Sequence, residues 1–288
     1  MANTIGTSTL SEVWRIKYFK STLEVALRNA LVAEKVCKVD RSDAKYIANP
    51  YGNQPSAAIA TMAGTYAVST VTTVDDPLTV SDQVTYAEHI YEFEETLSRV
   101  DLYTSRVDEM TYAVATMIDK FVLNKILDLA GESYDTPEGG FTTPGNINKI
   151  IGDLTGKVAG YSTAYGGLFL VIENTDLTGF IQAGMGNGFS FADAALNNGF
   201  GGVYGGVEVY VVRTGTFSTG TIGTLSATNS GHRLFGVKNV ALYAAPRGVQ
   251  MDEKKVTLKT GREVSVWANI GAILWTPKVN LLTDITLA

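Results

Sequence analysis

A mixed α+β protein is what this sequence predicts, and three observations carry the prediction. Residues 103–130 run without Gly or Pro and repeat apolar side chains in steps of three and four, the period of one long helix. Residues 78–87 alternate between a mainly apolar and a mainly polar face, the period of a strand. Gly (29), Tyr (14) and many Thr, Ser and Val residues then point to a large share of strand and turn, with helix-favouring stretches confined to about the first half. At 288 residues, with 45% apolar and 18% charged residues, the chain can bury the core of a soluble protein with one or two domains.

The elements come in a clear order. The first twenty residues open with a polar Thr/Ser/Asn stretch without periodicity, expected to lie extended or mobile until something binds it. Ser21 and Glu24 have capping-box spacing, and Leu23, Ala26, Leu27, Ala30 and Leu31 share one face of the helix they open. Asn49, Pro50, Gly52 and Pro55 end this segment. In the next, Leu78, Val80, Asp82, Val84 and Tyr86 alternate with Thr79, Ser81, Gln83, Thr85 and Ala87. Asp75, Asp76 and Pro77 separate that run from Thr65 to Val74, so the two are expected to be the arms of one long hairpin. A two-stranded ribbon has little stability alone and needs a sheet or a neighbour's surface.

The long helix comes next, with Val107, Met110, Val114, Met117, Ile118 and Phe121 on one stripe and Gly131, Pro137, Gly139 and Gly140 beyond its end. A helix opened by Pro144, a strand from Leu168 to Ile172, a helix after Asp176 and a strand from Val207 to Val212 make a second unit. The Gly-rich run at 184–206 is expected to be loop. The remainder is a succession of strands: Val264, Val266 and Ala268 alternate with Glu263, Ser265 and Trp267, and Gly271 to Trp275 is expected to be a buried strand.

Composition and motif spacing argue against most chemistry. The net charge of −6 gives no general basic footprint for nucleic acid. No run approaches the roughly eighteen apolar residues of a membrane helix, and no signal peptide is evident, so folding in a reducing cytoplasm is expected. The lone Cys37 is a packing residue on this reading. The glycine runs match neither the dinucleotide nor the Walker pattern. His89 and His232 lack Cys companions for zinc and a nucleophile for catalysis, so no cofactor, metal or catalytic residue is expected. Charge is nevertheless uneven. Residues 1–50 carry eight basic side chains, among them Arg15, Lys17 and Lys20, whereas residues 51–98 have no Lys or Arg and hold Asp75, Asp76, Asp82, Glu88, Glu92, Glu94 and Glu95. The acidic edge is read as solvated or partner-facing, and the basic arm, with Trp14, Tyr18 and Phe19, as docking on another subunit.

Read in order, this layout resembles the major capsid proteins of tailed bacteriophages, the Hong Kong 97-like fold. The resemblance rests most on NVALYAAPRGVQMDEKK and NIGAILWTPKVNLLTDITL near the C-terminus, with GGVYGGVEVYVVRTG before them. It implies an N-terminal arm with a helix (1–50), an extended β-hairpin loop (51–95), a peripheral domain (96–143 and 246–288) with a spine helix (103–130), and an axial domain (144–245). It further implies a shell around double-stranded DNA, built of hexamers and pentamers in the host cytoplasm, with scaffold, portal and decoration proteins as further partners and no membrane. Any scaffold is then a separate chain or a segment already removed. The family's type member joins a lysine of its extended loop to a neighbour's asparagine. Residues 51–98 offer no lysine, so that cross-link is not expected here. An encapsulin nanocompartment and a β-rich surface adhesin are the competing expectations. Arg15, Lys17, Lys20, Glu92, Glu94 and Glu95 are the candidate subunit-interface residues.

Overall fold

The computed structural model describes residues 31–52, 73–90, 102–158, 166–187, 200–255 and 261–288. The helix expected after Ser21 lies outside the described residues, apart from Leu31. From Leu31 the chain makes one helical turn, α1 (Ala33–Val36), and then the short strand β1 (Lys38–Asp40). Four small strands come next: β2 (Tyr46–Ile47), β3 (Pro50–Gly52), β4 (Thr73–Asp75) and β5 (Leu78–Thr79), then the nine-residue β6 (Asp82–Ile90). The long helix α2 (Leu102–Leu127) is 26 residues, a rod of about 39 Å at 1.5 Å per residue. After β7 (Glu132–Asp135) come α3 (Pro144–Val158), β8 (Leu168–Glu173) and α4 (Leu177–Asn187). Strands complete the chain: β9 (Phe200–Tyr204), β10 (Val207–Val212), β11 (Thr219–Ile222), β12 (Leu225–Thr228), β13 (His232–Val237), β14 (Ala241–Ala244), β15 (Val249–Lys255), β16 (Arg262–Leu274) and β17 (Leu282–Thr286).

Two sheets organise these strands. The first is built on the 13-residue β16, which pairs β14 and then β15 along one edge and β6 along the other, with β1 outside β14. Val264, Val266, Ala268 and Ile270 of β16 alternate inward and are buried, so the strand periodicity places one face on the core. Val84 and Tyr86 of β6 lie on the same inward face, as their alternation anticipates. The two segments expected around residues 264–268 and 271–275 are therefore one continuous strand.

The second sheet has the order β7-β17-β13-β8-β10-β9. Its central β8 is buried at all six positions, as a strand covered on both faces must be. Strands at 132–135 and 282–286 share this sheet with strands from 168 to 237, so hydrogen bonding does not divide the layers at residues 144 and 245. Ile147, Ile150, Ile151, Leu154 and Val158 form the buried stripe of α3. Beside them Phe180 of α4 stacks against Phe141 at 5.4 Å and meets Tyr204 edge-on at 5.9 Å.

The helix α2 is shared by both sheets, touching β16 and β6 of the first and β13 and β17 of the second, with β12 between. Met110, Val114, Ile118, Phe121, Val122 and Ile126 are buried in one continuous core that reaches both layers. Its buried Asn124 ties it to the second layer: Nδ2 donates to the carbonyl of Thr216 at 2.7 Å. Asn229 in turn donates to Asp128 at 2.7 Å.

Two expectations are corrected. Asp75, Asp76 and Pro77 do not turn a hairpin between the runs on either side of them. Instead β4 pairs antiparallel with β3 (Tyr51↔Val74) and β5 with β2 (Ile47↔Leu78), so Thr73–Asp75 and Leu78–Thr79 both belong to the returning arm of a ribbon whose outgoing arm is 46–52. The reason is that β6 finds a better partner in β16, with nine paired positions, than a local turn offers. Part of the Gly-rich run is also strand rather than loop. Gly205 and Gly206 have φ of 58° and 83°, the two consecutive positive values of a tight hairpin turn, and fold β9 back onto β10.

Candidate assembly surface

The ribbon β2–β5 is the described element with the least core of its own, and its root is built from aspartates. Asp75 accepts hydrogen bonds from the Tyr46 hydroxyl at 2.9 Å and the Asn49 N–H at 3.0 Å, holding the two arms together. Asp76 accepts the N–H and hydroxyl of Thr276 at 2.9 and 2.8 Å, fastening the arm to the turn after β16. Asp82 accepts both donors of Thr224 at 2.7 Å, fastening the start of β6 to the β11–β12 turn. A carboxylate suits each place because it accepts along several directions and so satisfies a backbone and a side-chain donor together.

Beneath these bonds Leu78 and Val80 bury against Leu242 and Ala244, with Ile47, Ile273 and Trp275 around them. Gly271 makes room for this contact. A Cβ there would stand 3.2 Å from Val80 Cγ2 and 3.4 Å from Leu78 Cδ1. Beyond the root the ribbon leaves Tyr46 and Val74 exposed, at 54% and 45%. Tyr112 and Met117 are likewise exposed on α2.

The charge contrast read from sequence changes once partners are known. Asp75, Asp76 and Asp82 serve the ribbon root, and Glu88 pairs with Arg106 of α2 at 3.3 Å. Arg41 pairs with Glu34 at 2.7 Å, and Asp43 takes Arg247 at 2.8 Å. Four of the seven acids are thus engaged within the chain. Arg15, Lys17, Lys20, Glu92, Glu94 and Glu95, the interface candidates, all lie outside the described residues.

Polar groups that the sequence did not single out turn out to hold the second layer. Arg233 of β13, only 4% exposed, bonds Asp176 through Nε and pairs with Glu173 at 3.2 Å. Glu173 also accepts the N–H groups of Gly215 and Phe217 at 2.9 and 3.2 Å. No spacing rule links residues 173, 176, 215 and 233, so only the fold reveals the cluster. His232 contacts Asp284 at 2.8 Å across β13 and β17, while His89 is half-buried on β6 opposite Glu263. Among the described residues no group of three or more His, Cys, Asp or Glu side chains is placed to hold a metal ion. No described helix is long and apolar enough to cross a membrane.

Comparison with solved structures places this architecture. The capsid structure of the cyanophage P-SCSP1u superposes with a TM-score of 0.65 at 12% identity, covering 90% of this chain and 88% of its own. A structure from Mycobacterium phage Che8 gives 0.63 at 10% identity, covering 88% and 90%. The chain has the Hong Kong 97-like capsid fold. A virus-like particle from Pyrococcus furiosus shares it, with a TM-score of 0.61 at 10% identity and coverage of 94% and 99%. No protein-family model matches the sequence, and no curated protein is similar to it at the sequence level. For the Hong Kong 97-like fold, then, the pattern of elements persists at identities where residue-by-residue likeness has gone.

Proposed function

We propose that the chain is a major capsid protein that self-assembles into the icosahedral shell around the double-stranded DNA of a tailed phage. The observation that carries this reading is the superposition with phage capsid structures over about 90% of this chain and nearly as much of theirs. The role is structural rather than catalytic. Copies of the chain are the principal partner, assembling in the host cytoplasm and residing in the virion, with portal, scaffold and decoration proteins as further partners. Residues 1–50 act as the arm, 51–95 as the extended loop, 96–143 with 246–288 as the peripheral domain and 144–245 as the axial domain. The overall negative charge suits a container for DNA, because a strongly basic lining would hold the packaged duplex through counterion release.

Between copies, the arm's Arg15, Lys17 and Lys20 lie against Glu92, Glu94 and Glu95 at the foot of a neighbour's loop. The support for this reading is the contrast of charge between the eight basic residues of 1–50 and a segment 51–98 without Lys or Arg.

The match to the Pyrococcus furiosus virus-like particle supports a second reading, an encapsulin-type compartment. Electron microscopy of the purified chain separates the two. Large or polymorphic shells with hexamers and pentamers support the capsid, uniform small shells enclosing protein support the compartment, and monodisperse monomers at high concentration refute both.

A further inference from the structure

The run AAPRGV at residues 244–249 is an excursion in the first sheet. Strands β14 and β15 follow one another along β16, but Ala244 faces Gly271 and Val249 faces Ala268, so the four residues 245–248 stand opposite two. The Gly248 N–H closes a turn on the Ala245 carbonyl at 3.1 Å, with Pro246 at its second position and Arg247 at its third. Arg247 has a φ of 61°, a left-handed value at which glycine is the usual residue. An arginine held there against its backbone preference points to a task for its side chain. Its Nε donates to both oxygens of Asp43, at 2.8 and 3.0 Å.

This turn borders a cavity of about 160 Å³. Leu31, Ile118, Val249 and Ala268 supply its apolar lining. Asp119 of α2 fixes the neighbouring α1, accepting the Val32 and Ala33 N–H groups at 3.1 and 2.8 Å. The polar lining is rich in donors. Arg41 and Arg247 both line the cavity, and Glu34, the one acid among the lining residues, is already taken by Arg41 at 2.7 Å. Tyr243 is 2% exposed and lines the same space, yet its hydroxyl has no hydrogen-bond partner among the described residues. Burial above all, with Glu34 and Asp119 adding to it, raises the phenol above its ordinary pKa, so it stays protonated and able to donate. A buried hydroxyl without a partner is costly, and it marks a place where an acceptor belongs.

We propose that this cavity binds a carboxylate carried on a short apolar stem. The chemistry follows from the inventory of donors: a carboxylate accepts from Tyr243 and from the uncommitted N–H groups of the two guanidiniums, whose forked geometry suits it. The stem lies against Leu31, Ile118, Val249 and Ala268. A cavity of about 150 Å³ takes up benzene, so the ligand has about six non-hydrogen atoms. The Arg247–Asp43 pair, with side chains 69% and 62% exposed, contributes little by itself and is readily exchanged for an incoming anion. Such a group can arrive as a free small acid or as the acidic side chain of a second copy. The site is complete in a single chain either way, so it stands or falls independently of the shell.

Butyrate has this size, and ligand-observed NMR titration of the full chain with it tests the site. Butyrate should bind saturably, and butanamide, equal in size but uncharged, about tenfold more weakly. Tyr243→Phe removes only the hydroxyl. It should weaken butyrate binding by about ten- to a hundredfold, yet be as stable as the wild type in thermal unfolding without butyrate. Arg247→Gly suits the left-handed turn and removes a guanidinium, so it should fold and lose about tenfold in affinity. Sedimentation at saturating butyrate separates the two sources: weakened self-association identifies the side chain of a second copy, and unchanged self-association a free acid. Absence of saturable butyrate binding overturns the proposal, as does equal affinity for butanamide or unchanged affinity in both variants. A Tyr243→Phe chain less stable than the wild type without butyrate overturns it too, because the hydroxyl then already has its partner.

Discussion

The six-stranded sheet and the ribbon at residues 46–79 are held by opposite means. In the sheet, a cluster of buried charges is mutually satisfied: Arg233 pairs with Glu173 and Asp176 and lies over the Phe217 ring. At the ribbon, three aspartates accept pairs of donors at the surface, above a small apolar contact of Leu78 and Val80 with Leu242 and Ala244. The sheet is made to be stable. The ribbon is made to be aimed, because its bonds fix the direction in which it leaves the body and contribute little burial. Stability and placement are thus separable in one chain, and substitutions should separate them.

The largest effect is expected at Arg233. Arg233→Leu leaves Glu173 and Asp176 buried without their cation, which should cost about 3–5 kcal/mol of global stability in urea unfolding. A variant as stable as the wild type would mean that the cluster is incidental to the layer.

Gly271→Val comes next. Its side chain would stand where Leu78 and Val80 pack, an overpacking of about 1–3 kcal/mol. Limited proteolysis should then cut around residues 46–80 far faster, while global unfolding shifts less than in Arg233→Leu. Equal shifts in the two assays would erase the distinction between the regions.

Smaller again are Asp76→Ala and Asp82→Ala, about 0.5–1 kcal/mol each because the bonds are exposed. Their signature is positional: proteolysis at the ribbon should quicken with Thr276→Val and Thr224→Val in the same way, and each Asp–Thr pair should be non-additive.

The smallest effect per residue is at the charges of the arm. Reversing Arg15, Lys17 and Lys20 to Glu should slow assembly at low salt much more than at 1 M, where the Debye length falls to about 3 Å. Exposed pairs contribute only about 0–1 kcal/mol each, so rate and not final yield is the readout. Reversing Glu92, Glu94 and Glu95 to Lys in the same chain should partly restore the rate, and wild-type kinetics in the triple arm reversal would remove the charge from the account.

Much of the fold could be read from local periodicity. The stripe from Met110 to Phe121 announced α2, and the alternation from Leu78 to Tyr86 assigned the right residues to the core even across the break at Ser81. Pairing was beyond local reading. The sequence around Asp75, Asp76 and Pro77 has good turn chemistry, yet the strands beside it pair with residues 46–52 and 262–270, and the choice is made by distant partners. The strand within FGGVY was hidden for a related reason, since its glycines carry no periodicity and the register comes from β10. The polar organisers were least legible. Asp119, Asn124 and Arg233 fall on helix or strand positions where pattern alone predicts apolar residues, and their partners lie 86, 92 and 57 residues away.

The helix α2 has one more consequence, a mechanical one. It carries neither Gly nor Pro and is gripped along its length by strands of both sheets, so it behaves as a beam without a hinge. A load applied to one sheet reaches the other through bending stiffness rather than through the connecting turns. Any change in the curvature of the body must then be taken up where the backbone is already free to pivot, at the glycine turn of Gly139 and Gly140 beyond the beam's C-terminal end.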